Sequence, residues 1–174
     1  KDKSHPISEW IILFVTKAIY YTYILVLPML LLDITWVHLL IGFLTLQLTA
    51  GLIIGIIFQL AHVVEGTDHP VPDEENMIDE HWMIHEMVTT NNFARDNKAL
   101  CWFVGGLNFQ IEHHLFPRIC SVHYPAISHI VEKTAKEFDI PYNHHDTFFE
   151  AVASHYRTLK KFGDPEFTYT EAQA

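Results

Sequence analysis

Two long apolar runs limit what this chain can become more than any other feature. Trp10 to Leu32 and Ile34 to Val64 are parted only by Asp33, with Thr35 adding a second polar side chain at the break. A helix needs about 20 apolar residues to cross the hydrocarbon core of a bilayer, and each run is longer than that. The first carries one charge, Lys17, two turns inside its Trp10 end. Such a residue snorkels to the interface or faces a protein neighbour. The second run holds no acidic or basic residue. At about 1.5 Å per residue it would be roughly 45 Å long, so it is expected to project from the membrane at one end.

Two helices joined at Asp33 return both flanks to the same side. No Lys or Arg occurs between Lys17 and Arg95, and basic residues concentrate on the cytoplasmic side of membrane proteins. Both termini are therefore placed in the cytoplasm and the tight turn outside. Trp10 suits an interfacial anchor, whereas Tyr20, Tyr21 and Tyr23 sit too deep for one and are read as facing other helices. Gly51 and Gly55 form a small-xxx-small pair that either admits another helix closely or simply faces lipid. The expected fold is all-α: a lead over residues 1–9, an integral membrane two-helix hairpin over 10–66, and a helical cytosolic cap over 67–174.

Composition supports this division. Hydrophobic residues make up 49% of the chain and crowd into its first 64 positions, and the formal net charge is −10. With no basic stripe, nucleic acid is excluded as a partner, because phosphate binding needs a basic face. Cys101 and Cys120 are too few and too oddly placed for a disulfide framework or a cysteine-type zinc site, and are read as buried or half-buried free thiols. Lys1 stands where an initiator methionine would, and no cleavable signal pattern precedes the apolar run. The chain thus reads as a fragment of a longer protein.

Beyond the hairpin, Thr67 to Glu86 is acidic and bears prolines, which describes a solvated loop leading into a helix. His81 and His85 lie at i, i+4 within it; with no clear third ligand nearby, His81 is read as structural and His85 as a weak candidate. Leu100 to Gly106 is apolar but too short to span, so it is expected to lie at the membrane surface. Tyr124 to Phe138 shows Ile127, Ile130, Val131, Ala135 and Phe138 opposite Glu132, Lys133 and Lys136, an amphipathic helix, and Phe148 to Leu159 repeats the pattern before a polar tail. His129, His144, His145 and His155 are read as surface or packing histidines.

The chemistry concentrates in Gln110-Ile111-Glu112-His113-His114-Leu115-Phe116-Pro117. Leu107, Ile111 and Leu115 at spacings of four predict a helix, which puts Gln110, His113 and His114 at i, i+3 and i+4 on one face. Neutral imidazole is the commonest side-chain metal ligand, and this spacing can serve one metal or two neighbouring ones. Pro117 ends the helix just after them.

Gly106 to Pro117 (Gly-Leu-Asn-Phe-Gln-Ile-Glu-His-His-Leu-Phe-Pro) resembles the third histidine box of the membrane fatty acid desaturases, in the front-end form where glutamine replaces the first histidine. The resemblance implies a di-iron (Fe) site facing the cytosol, with His62, Gln110, His113 and His114 as ligands. His62 matches the extra ligand that the family carries at the end of its last transmembrane helix. His85 and His123 become possible partners of the ligands, and Thr89, Thr90 and Asn92, in a stretch similar to one in bacterial members, either line the substrate channel or, more readily for any one of them, cap and pack helices. A fatty acyl-CoA or acyl-lipid substrate, dioxygen, and cytochrome b5 or ferredoxin as electron donor are also implied. The membrane would be the cell inner membrane in a bacterium and the endoplasmic reticulum in a eukaryote.

The departures from the family pattern carry equal weight. The family's first two histidine boxes have no counterpart before His62, where His5 and His38 stand isolated. The chain therefore corresponds to the C-terminal part of a desaturase and is expected not to turn over alone. The alternatives are a sphingolipid desaturase or hydroxylase of the same superfamily, and a non-enzymatic membrane anchor or interaction module.

Overall fold

The structure is a computed structural model that describes residues 5–78 and 80–165. Lys1 and Lys3 of the lead, Asp79 of the acidic loop and the polar tail over 166–174 lie outside the described residues. The chain divides into two units, Lys1–Ile53 and Ile54–Ala174.

The first unit is helical. α1 (Ile7–Tyr21) passes through a π-helical turn (Thr22–Val26) into α2 (Leu27–Leu31), and α3 (Trp36–His62) begins after the break at Asp33. Helix begins three residues before the expected Trp10 because Pro6, in the extended region, supplies the N-cap and Glu9 places an acid in the first turn. The π turn has a local cause. Pro28 lacks an N–H and its ring crowds the carbonyl four residues earlier, and the helix widens there so that the Leu27 N–H reaches Thr22 O. Ile7–Leu31, of 25 residues, and Trp36–His62, of 27, are both long and apolar enough to cross a membrane. The Tyr20 hydroxyl donates to Gln47 Oε1 of α3 at 2.9 Å, whereas Tyr21 and Tyr23 are exposed. A methyl group added at Gly51 or Gly55 would meet nothing within 4 Å among the described residues, so neither glycine serves a close contact with them.

The second unit takes the last turns of α3 and builds the site around them. α4 (Trp82–Val88), β1 (Asn91–Phe93), α5 (Lys98–Phe103), α6 (Gln110–Leu115), a 3-10 turn (Ser121–His123), α7 (Tyr124–Glu137), β2 (Asn143–His145) and α8 (Phe148–Phe162) follow in order. β1 and β2 pair in parallel, Asn91 with Asn143 and Phe93 with His145. The chain is therefore mostly helical rather than all-α. These three-residue strands have no periodic signal of their own and exist only because tertiary packing brings them together.

Two apolar clusters hold this unit. Ile57 and Leu60 from α3 pack with Phe93, Ala94, Val104 and Ala151, while Met87, Ile111, Leu115, Val131 and Ala135 form the second cluster. α5 stops short of spanning, and its Trp102 and Phe103 face outward at 84% and 63% exposure while Val104 is buried. On α7 the buried stripe is Tyr124, Ser128, Val131 and Ala135. Ile130 and Phe138, expected inside, are exposed. Leu107 lies in the turn before α6 and packs against the first cluster, so the box helix starts at Gln110 rather than reaching back to it. Cys101 is half-buried, but Cys120 is exposed, contrary to the reading of both thiols as sheltered.

Gly105 and Gly106 make the turn between α5 and the box, with φ of 64° and 83°. A Cβ on Gly106 would stand 2.7 Å from Ser121 Cβ, whereas one on Gly105 meets nothing within 4 Å. Left-handed backbone costs a non-glycine residue about 1–2 kcal/mol and overpacking adds about 1–3. Gly106→Ala is therefore expected to lower the thermal midpoint of the detergent-solubilised chain clearly more than Gly105→Ala, which meets the first penalty alone.

Candidate metal centre

Three imidazoles converge in the second unit. α3 ends at His62, and its last buried residues, Leu60 and Ala61, seat that end in the interior. α6 presents His113 and His114. The His62 and His114 rings lie 5.2 Å apart between centroids, and His113 and His114 lie 5.6 Å apart. Gln110, one turn before them, is buried, and its Nε2 has no hydrogen-bond partner. The residues expected at i, i+3 and i+4 are thus all on α6, and His62 comes from a distant stretch to join them.

Each imidazole is steered by a neighbour that sequence reasoning did not identify. His62 Nδ1 lies 3.3 Å from the Thr89 carbonyl oxygen, and His114 Nδ1 lies 3.0 Å from Glu86 Oε2. A carboxylate or carbonyl on one ring nitrogen fixes the tautomer and leaves the other nitrogen free to bind a metal. Tyr124 stacks edge-on to His113 with centroids 6.4 Å apart. His123, one residue before it, is exposed. Burial pushes the His114 pKa down, the Glu86 carboxylate opposes this, and the His62 and His113 rings add to it. Glu86 lies on α4 and His114 on α6, far apart in the sequence, so no local spacing links the two.

His85 lines an open cavity of about 520 Å³ with His62, His69 and Thr89, and its Nδ1 is 3.6 Å from Glu80. His81 caps α4, accepting from the Met83 N–H, as its structural reading implied. Thr89 is half-buried and its hydroxyl donates to His85 O. Thr90 and Asn92 are fully buried, and neither lines the 520 Å³ cavity or a second one of about 670 Å³ beside Arg95 and Trp102. Asn92 instead bonds within the protein, to Ile111, Glu112 and Tyr142. Of the remaining histidines, His145 meets Asn91 Oδ1 at 3.0 Å and His155 meets Val63 O at 2.6 Å, while His129 and His144 are exposed.

Imidazole with a neighbouring amide is a donor set that suits iron and zinc alike. Among the described residues, no group of three or more His, Cys, Asp or Glu side chains is placed to hold a metal ion. The convergent rings and the orphaned amide of Gln110 fit part of a ligand set rather than all of one.

The sequence pattern of the fatty acid desaturase family matches residues 2–146. The chain belongs to that family. The sn-1 linoleoyl-lipid 6-desaturase of Synechocystis sp. is 42% identical to this desaturase chain over 148 residues, covering 84% of it and 41% of the relative. An enzyme of the same name from Arthrospira platensis is 44% identical over 127 residues, covering 72% and 34%. The acyl-lipid (8-3)-desaturase of Physcomitrium patens is 43% identical over 163 residues, covering 91% and 33%. These names agree with the front-end branch to which glutamine in the box points. The desaturase chain spans roughly a third to two-fifths of the length of these relatives. No solved structure matches it.

Proposed function

We propose that this chain is the C-terminal part of a membrane front-end desaturase, supplying His62, Gln110, His113 and His114 to a di-iron centre that inserts a double bond into an acyl chain. The observation that carries the reading is the meeting of His62 with the box histidines, 5.2 Å from His114, at the end of a helix long enough to span a membrane. Iron, when bound, supplies the oxidising power toward an unactivated methylene that no amino-acid side chain has. The protein's own part is to hold and orient. Glu86 and the Thr89 carbonyl fix the ring faces of His114 and His62, and burial lowers the His114 pKa, disfavouring its charged form.

In this reading the two apolar helices form a transmembrane hairpin and the second unit faces the cytoplasm, with Trp102 and Phe103 of α5 in the membrane interface. The acyl chain arrives on a membrane lipid, as the relatives' names describe for theirs, or on CoA. Cytochrome b5 or ferredoxin delivers the electrons. The first two histidine boxes lie in the rest of the protein, and the chain alone does not turn over.

Elemental analysis tests this directly. Purified in detergent, the complete reading frame is expected to hold near two irons per chain and the 174-residue chain almost none. Stoichiometric metal in the short chain by itself would sink the split-site reading in favour of a self-contained centre.

A further inference from the structure

α6 has only six residues, too few to hold a helical shape or a fixed rotation unaided. On its side away from the histidines, Ile111 and Leu115 enter the apolar cluster, and between them Glu112 is buried with no exposed surface. A carboxyl group in such a place is destabilising unless its oxygens are satisfied. Both are. Oε2 accepts from Asn92 Nδ2 and Oε1 accepts from the Tyr142 hydroxyl, each at 2.8 Å.

Asn92 makes a second grip. Its Oδ1 accepts from the Ile111 N–H at 3.0 Å, one of the first-turn donors that lack an acceptor within the helix. Its Nδ2 also donates to the Tyr142 oxygen at 2.7 Å. Tyr142 is in turn anchored: Arg95 lies over its ring at 5.2 Å and pairs with Glu132 of α7 at 2.9 Å. One side chain of β1 thus holds both the backbone and the buried acid of the box helix, and the network runs on into α7.

We propose that Glu112 is a positioning residue for the metal ligands, setting the rotation of α6 so that His113 and His114 face His62; this rests on the reading of those histidines as ligands. The chemistry requires an acid and not its amide. Both partners donate, so the NH2 group of glutamine would confront either Asn92 Nδ2 or a Tyr142 oxygen already accepting from Asn92. Exchanging the roles restores the bond between 92 and 112: in the pair Asn92→Asp with Glu112→Gln, the carboxylate at 92 accepts from the amide at 112 and still accepts from the Ile111 N–H, at the loss of the Asn92 Nδ2 donation to the Tyr142 oxygen.

The test uses the complete protein carrying Glu112→Gln, Tyr142→Phe, and the exchanged pair. Three measurements are made: kcat and KM, iron per chain, and deuterium exchange at the α6 amides of iron-free protein. Glu112→Gln is expected to lower kcat at least tenfold with KM within twofold, to lose iron, and to exchange at the His113 amide at least tenfold faster. Amides of α8 should be unchanged, which separates this from general unfolding. The exchanged pair should recover most of each loss. Tyr142→Phe keeps the fold if the glutamine variant does not, and should show the same changes in smaller measure. Unchanged exchange in α6 and unchanged iron in the glutamine variant, or an exchanged pair no better than it, would overturn the proposal. If the wild-type protein binds no iron, the metal reading fails, while the exchange data still decide whether Glu112 fixes α6.

Discussion

Replacing His113 or His114 by alanine in the complete protein is expected to abolish desaturation, a fall of more than about 100-fold. The scale follows from the neighbours: losing a group that merely orients a metal-binding histidine commonly costs about 10–100-fold in affinity or activity, so losing the histidine must exceed it. Glu86→Gln supplies that lower step. Its carboxylate meets His114 Nδ1 at 3.0 Å, and an amide there leaves the tautomer free, so a fall of about 10–100-fold is expected. His144→Ala, on the exposed side of β2, should leave product formation within twofold. Product is measured from a supplied linoleoyl substrate by chromatography of fatty acid methyl esters. Full activity in either box variant would mean that α6 presents its histidines to something other than a catalytic metal.

The spans and the box were legible in the sequence because each rests on a local regularity. Two unbroken apolar runs leave little choice but long helices, and the i, i+3, i+4 spacing of Gln110, His113 and His114 holds whatever surrounds it. What was not legible depends on contacts between distant stretches. Asn92, for which channel lining and packing were both open, turns inward because Ile111 and Glu112 arrive beside it from later in the chain. β1 and β2 are separated by α5, α6, a 3-10 turn and α7, and cannot be foreseen from Asn91-Asn92-Phe93. Ile130 and Phe138 satisfy helical spacing yet remain outside, since the partner surface is met by Tyr124, Ser128, Val131 and Ala135 instead. Glu112 is the instructive case. On a helical wheel it falls next to Leu115, on the side away from Gln110 and His114, so an acid bordering the core could have been read from the sequence; its partners could not.

The largest stability effect in the second unit is expected from Phe93→Ala. Phe93 is fully buried, and its ring lies 6.3 Å from that of Phe148 in the cluster that also holds Ile57 and Leu60 of α3. Removing a buried phenylalanine side chain costs about 3–5 kcal/mol through lost burial and the cavity left behind. Against the few kcal/mol that keep most domains folded, this is enough to shift a large share of the chains toward the unfolded state. Thermal unfolding in detergent, followed by tryptophan fluorescence, should show the midpoint falling well below that of Phe93→Leu, which refills most of the space. The helices of the first unit should persist by circular dichroism, since their hydrogen bonds are internal and their surfaces face lipid or detergent. The change also reaches the site. Phe93 shares β1 with Asn92, and its N–H donates to Asn108 O just before the box. Loosening it should therefore weaken the grip of Asn92 on α6 before the unit melts, so iron should be lost below the unfolding midpoint. Iron retained up to full unfolding would show that the box helix is held independently of β1.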